Sequence, residues 1–317
     1  MASDPPPNRD AIGFIGLGAI GSPIALRLIE AGFNLVVHDV RSEAMRPFTG
    51  RAQLASSGTE VGERAEVVFG CLPGAAAHRE AILGASGLAG GKRVQLYVNL
   101  GTVGAPLLIE LEQGLLNVGI TTIDAPITGG VPRAESGTLT AIVSGDRSWF
   151  ERVEPAMSSY ASKRVWLGPR AGSAQVMKLV NNAISLSNLV IAAEAMLVGI
   201  HAGIDPRMML DVINHGSGQN SATLSKIPRD VLTEQFNFGG SLSIVVKDLE
   251  AFVAQADSHD MPIQSVRSVL ESFRLAKQEL GGEADVTEVV RPLERLAGIL
   301  LRDSATAERV APAREPS

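Results

Sequence analysis

The period of the apolar positions changes along this chain. Up to about Leu167 short apolar runs alternate with amphipathic stretches, and beyond Gly172 a helical period takes over. The first run, residues 11–16, ends in Gly16. Ile24, Ala25, Leu28 and Ile29 then recur at helical spacing until Gly32 stops the helix, and residues 33–37 form the next run. Residues 65–71, 93–100 and 120–125 read as further strands, with breaks following at Leu72-Pro73-Gly74, Gly101-Thr102 and Thr128-Gly129-Gly130. Residues 141–143 read as one arm of a hairpin returning to the sheet, which predicts a mixed sheet at that edge. Residues 172–203 contain no proline and are almost continuously apolar at helical period, so they predict one long helix. Shorter helices are predicted over 206–214, 241–258, 262–280 and 288–300.

The first strand and helix are joined by Gly16-Leu17-Gly18-Ala19-Ile20-Gly21. Strand, glycine turn, helix, strand is the order of a dinucleotide-binding unit. The first glycine permits the tight turn, the second lets a pyrophosphate approach the backbone, and the third lets helix and strand pack closely. Asp39 ends the second strand, where a carboxylate can bond the adenosine ribose hydroxyls and repel a 2′-phosphate, which favours NAD. Arg41, two residues on, is placed to pair with a 2′-phosphate, so NADP stays open. Open parallel sheets place ligands at strand ends, which adds Leu72, Pro73 and Thr102 to the expected cofactor contacts. The fold class expected is α/β, a Rossmann-type doubly wound sheet followed by an all-helical C-terminal domain. Residues 1–10 are read as a flexible tail, 11–167 as the dinucleotide-binding domain, 168–302 as a helical substrate and oligomerisation domain, and 303–317 as a second flexible tail. The long helix opens the second domain, and a substrate cleft is expected between the two.

Composition narrows the partners. The 317 residues are 45% hydrophobic, 20% charged and 4% aromatic, an ordinary globular profile. A formal net charge of −6 and the lack of a Lys/Arg cluster argue against a nucleic-acid binder. One cysteine, Cys71, allows no intrachain disulfide and fits a reducing compartment, read as cytoplasmic; a single strand-end cysteine reads as a small buried hydrophobe. The five histidines are scattered singly, so no metal is expected. Lys178, Asn181, Asn182, Asn188 and Glu194 interrupt the long apolar helix and argue against a membrane span. The helix also exceeds what one small helical domain can cover, which suggests a homodimer or homotetramer.

Two segments hold candidate chemistry. Thr128, Gly129 and Gly130 put a hydroxyl and backbone N–H groups at a strand end, a suitable cradle for a small carboxylate, although a plain turn has the same make-up. Lys178 and Asn182 are four residues apart and share a helix face, with Ser185 three further on. A mid-helix Asn181-Asn182 pair has poor helix propensity, which points to a local requirement of another kind. A buried lysine whose pKa is lowered can pass a proton to and from a hydroxyl; a surface lysine is the alternative.

Four separated motifs resemble the β-hydroxyacid dehydrogenase family, which includes 3-hydroxyisobutyrate dehydrogenase and tartronate semialdehyde reductase. Phe14 to Pro23 is similar to its nucleotide signature, with Ile20 where methionine is commoner. Asp124 to Gly130, continuing to Gly137-Thr138-Leu139, is similar to its substrate segment, with Thr128 in place of serine. Gly172 to Asn182 resembles its catalytic segment, with Ala174 in place of a frequent glycine, and Lys247-Asp248-Leu249 matches a fourth motif. Asn99-Leu100-Gly101-Thr102 stands where members more often carry Asp-x-Ser-Thr. The resemblance implies Lys178 as general acid/base and Asn182 as the residue orienting the substrate. It also implies Thr128, Gly129 and Gly130 on the substrate carboxylate, Lys247 near nicotinamide and substrate, and Asp248 supporting the local helix. Hydride would pass between the hydroxyl-bearing carbon and NAD(P) while Lys178 takes or returns the hydroxyl proton. Two other readings share the nucleotide motif: an imine reductase, a resemblance that usually lacks the lysine, and a catalytically silent nucleotide-binding protein.

Overall fold

The structure of the protein, a computed structural model, describes residues 11–303. They form two compact units that divide between Lys178 and Leu179. In the first unit six strands, β1 (Ile12–Ile15), β2 (Leu35–His38), β3 (Gln53–Leu54), β4 (Val67–Gly70), β5 (Leu96–Asn99) and β6 (Thr121–Asp124), make one sheet. Its order is β3-β2-β1-β4-β5-β6 and every pair is parallel. This is the expected doubly wound arrangement, in which the chain returns to β1 and builds outward on its other side.

Both faces of the sheet are covered, which is why its central strands are continuous apolar runs rather than alternating ones. Phe14, Val37, Phe69, Val98 and Ile123 pack on one face against Ile24, Ala25 and Leu28 of the helix Gly21–Glu30. Ile15, Val36, Val68 and Tyr97 pack on the other against Leu107, Leu111 and Leu115 of the helix Ala105–Leu116. Parallel register aligns Ile15, His38, Gly70, Asn99 and Asp124 as one row across the sheet. The loops that follow these residues therefore leave the sheet at the same edge.

The expected mixed edge is not found. β7 (Ile127–Thr128), β8 (Leu139–Val143) and β9 (Ala161–Trp166) form a separate three-stranded sheet, with β8 antiparallel to β7 and parallel to β9. Residues 141–143 do not rejoin the main sheet; among the described residues a single antiparallel bridge, Asp124 to Ser144, links the two strand systems. The helix Arg147–Met157 also went unread, because Pro155 looks like a breaker; Asp146 caps it by accepting from the Ser148 and Trp149 amides.

The long helix is Ser173–His201. Its most apolar stretch has a mean hydropathy of 1.9, and 44% of that stretch is buried inside the protein. In the second unit its Ala183, Leu186, Leu189, Val190, Ala193, Met196 and Leu197 enter one apolar core with Phe273, Leu249 and Val289. The helices Pro206–His215, Leu242–Asp257 and Gln264–Leu280 lie close to their predicted spans. The predicted 288–300 helix is instead a 3-10 turn, Val286–Val289, followed by Val290–Ala297, which stops where Gly298 adopts a left-handed conformation. A ten-residue π-helix, Ala222–Val231, was not predicted; it contains Pro228. Asp303, read as the start of a loose tail, is buried: its amide donates to the Leu232 carbonyl and its carboxylate takes Arg207. The two predicted tails otherwise lie outside the described residues.

Candidate active site

Gly16 to Gly21 leaves β1 at the edge defined by the aligned row. Gly16 has φ of 94°, and a Cβ there would meet the Cys71 carbonyl oxygen at 2.3 Å; one on Gly21 would meet the Gly16 carbonyl oxygen at 2.0 Å. Those two glycines are needed by the protein itself. Gly18 differs, since a Cβ there would have nothing within 4 Å. The middle of the loop is thus open backbone ahead of a helix that starts at Gly21, which fits a phosphate-bearing ligand with its charge at the helix N-terminus.

Asp39 closes the loop from β2. Its Oδ2 accepts from the Leu17 amide at 2.7 Å, and its Oδ1 accepts from the Arg41 amide at 2.9 Å and Arg41 Nε at 3.3 Å. Burial acts to raise its pKa, but the bonds from Arg41 and Leu17 outweigh this and hold the carboxyl below the usual aspartate range. Beyond the ribose position expected of it, Asp39 ties β2 to the glycine loop. Arg41 is held beside it with its side chain largely exposed.

Beneath the next strand ends lies a buried polar network that sequence reasoning missed. Asp124 Oδ1 accepts from Asn99 Nδ2 (3.1 Å) and Gln175 Nε2 (2.7 Å), and its Oδ2 accepts from the Gln175 amide (3.1 Å). Gln175 Oε1 accepts from the Val103 and Gly104 amides at 2.8 and 3.0 Å, and its Nε2 also donates to the Gly101 carbonyl. His78 Nδ1 donates to the Gly74 carbonyl at 2.7 Å, with Nε2 3.2 Å from Asn99 Oδ1. One glutamine thus fixes the loop that carries Thr102 and the first turn of the helix that carries Lys178. Burial pushes Asp124 up to about 7, against the bonds donated by Gln175 and Asn99. The available signal was a polar residue ending each of two apolar strands, Asn99 and Asp124. Cys71 is unsuited to nucleophilic work, because burial pushes its thiol up to about 12.

Thr128 ends β7 and is half-buried, and Gly129 and Gly130 both have positive φ, 137° and 76°, at the start of a short helix. Lys178 is half-buried in the second turn of Ser173–His201. In the second unit Asn182 Nδ2 donates to Asp248 Oδ2 at 2.8 Å, while Lys247 Nζ lies 3.1 Å from Asp248 Oδ1. Asp248 is therefore more than a support for its own helix: it joins the two expected site residues Asn182 and Lys247. The nucleotide loop, Asp39, Leu72, Pro73, Thr102 and Thr128 to Gly130 belong to the first unit. Among the described residues no cluster of three or more metal-binding side chains occurs.

Comparison with known proteins agrees with this arrangement. Residues 11–168 match the NAD-binding domain of 6-phosphogluconate dehydrogenase, and residues 172–293 match the family described as NAD-binding of NADP-dependent 3-hydroxyisobutyrate dehydrogenase. The mitochondrial 3-hydroxyisobutyrate dehydrogenase of Rattus norvegicus is 32% identical over 264 residues, covering 81% of this chain and 78% of its own. The 2-(hydroxymethyl)glutarate dehydrogenase of Eubacterium barkeri is 26% identical over 91% of this chain and 96% of its own. The solved structure of Psf3 in complex with NADP+ and 2-OPP superposes with a TM-score of 0.80 at 26% identity, covering 89% of this chain and 99% of that one. The chain belongs to the family of NAD(P)-dependent hydroxyacid dehydrogenases that includes 3-hydroxyisobutyrate dehydrogenase.

Proposed function

We propose that this dehydrogenase interconverts a small β-hydroxy acid and its semialdehyde, with Lys178 as the proton-transfer residue. The observation that carries the reading is the position of Asn182, four residues past Lys178 on one helix. Its amide is fixed by Asp248, which also holds Lys247. A carboxylate that pins an asparagine NH2 gives the amide oxygen a defined direction; that oxygen also accepts from Asn181 Nδ2 at 3.3 Å, and its second lone pair suits a substrate hydroxyl. Thr128, Gly129 and Gly130 take the substrate carboxylate through the hydroxyl and backbone N–H groups. Gly16 to Gly21, with Asp39, Leu72, Pro73 and Thr102, hold the nucleotide, and the family resemblance assigns Lys247 to its nicotinamide. When bound, the nicotinamide supplies the hydride acceptor or donor. Lys178 accepts the hydroxyl proton during oxidation and returns it during reduction. Asp39 at the ribose position favours NAD over NADP.

The test is a spectrophotometric panel with the purified chain: 3-hydroxyisobutyrate, glycerate, threonate and 4-hydroxybutyrate, each with NAD and NADP. Turnover of a β-hydroxy acid, faster with NAD, is the expected result. Nucleotide binding with no turnover across the panel would replace the reading with that of a silent nucleotide-binding protein.

The same reading extends to assembly. Ile184, Ile191 and Val198 are exposed at seven-residue spacing along the long helix. An apolar stripe of that period on one helix suits a second copy of the chain, which makes a homo-oligomer the working form.

A further inference from the structure

Lys226 sits inside the π-helix Ala222–Val231 and is 6% exposed. Its Nζ donates to Ser185 Oγ at 3.1 Å and lies 5.0 Å from the centre of the Phe238 ring. The carboxylate nearest in sequence, Asp230, is taken by Arg229 through contacts of 2.9 to 3.1 Å, and no described carboxylate forms an ion pair with Lys226. An ammonium has three donors, and one hydroxyl with one ring face satisfies it only in part. A buried charge without a counterion is costly, and burial does pull this lysine below the usual range, against the raising pull of Asp230. π-helical turns are frequent at functional sites, and this one brings Lys226 to the helix face that carries Asn182 and Ser185. Ser185 is three residues past Asn182, about 4.5 Å along the axis, the length of a short carbon chain. Ser185 also lies 3.5 Å from the exposed Ser221, so the polar strip continues to the surface.

We propose that Lys226 and Ser185 form a subsite for a second carboxylate, so that the preferred substrates are β-hydroxy acids with an anionic group on a short side arm. This rests on Asn182 being a substrate residue, as proposed above.

The experiment compares two acids of equal length, 2-(hydroxymethyl)glutarate and 2-(hydroxymethyl)pentanoate, by titration calorimetry of the full chain with NADH present. The wild type should bind the diacid at least about tenfold more tightly. Lys226→Met should remove that preference while leaving the monoacid affinity unchanged, and Lys226→Arg should keep most of it. Equal affinities in the wild type, or a Lys226→Met variant that loses both acids equally, would overturn the subsite. Selective binding of the diacid through Lys226 with no oxidation of it when NAD or NADP replaces NADH would instead uphold the subsite and sink the dehydrogenation reading.

Discussion

Asp124 receives hydrogen bonds from three N–H groups, two on Gln175 and one on Asn99, in a site only 2% exposed. Asn99 donates to Asp124 at 3.1 Å, where a second carboxylate would repel it. With its pKa pushed from 3.8 to about 7, Asp124 retains a proton in the folded chain that the unfolded chain has already released. Between about pH 4 and 7 the folded state binds more protons, so this group's contribution makes stability fall as pH rises, and level off above 7. Asp124→Asn cannot ionise and should flatten that part of the pH profile, while costing about 1–3 kcal/mol because its NH2 faces the Gln175 amide. Denaturant melts of both proteins across that range measure the difference. Parallel slopes would show that Asp124 stays ionised throughout.

At the scale of elements the glycine loop separates folding from binding. Gly21→Ala puts a methyl 2.0 Å from the Gly16 carbonyl oxygen, a backbone atom that cannot rotate away. Gly18→Ala puts one into open space. Gly21→Ala should lower Tm by roughly 2–10 °C and weaken NADH binding. Gly18→Ala should keep Tm and weaken NADH alone, as thermal melts and fluorescence titration would show. The same loop was legible in sequence because its strand, turn and helix are contiguous, and β1, β4, β5 and β6 were legible because strands covered on both faces read as apolar runs. β9, with Ser162, Lys163 and Arg164, carries no such run. Gln175 gave no signal, since its side-chain partners Gly101, Val103, Gly104 and Asp124 lie more than fifty positions away. Lys226 was hidden for a different reason: Pro228 breaks the helical reading, and a π-helix does not follow the 3.6-residue period being sought.

At the scale of the whole molecule, the exposed Ile184, Ile191 and Val198 make assembly testable. Light scattering after gel filtration should give a dimer or tetramer, and Ile184→Glu with Ile191→Glu should shift it to monomer; a wild-type monomer would leave the stripe unexplained by self-association. The proton-transfer role falls to Lys178, half-buried in the second turn of a helix whose first turn is tied to Asp124 through Gln175. The most direct measurement is therefore paired: kcat of Lys178→Ala on the best acid of the panel, and its Kd for NADH. Loss of at least about 100-fold in kcat with NADH affinity preserved is the predicted result. A variant that kept about a tenth or more of wild-type turnover would remove Lys178 from the proton-transfer step and contradict the central claim.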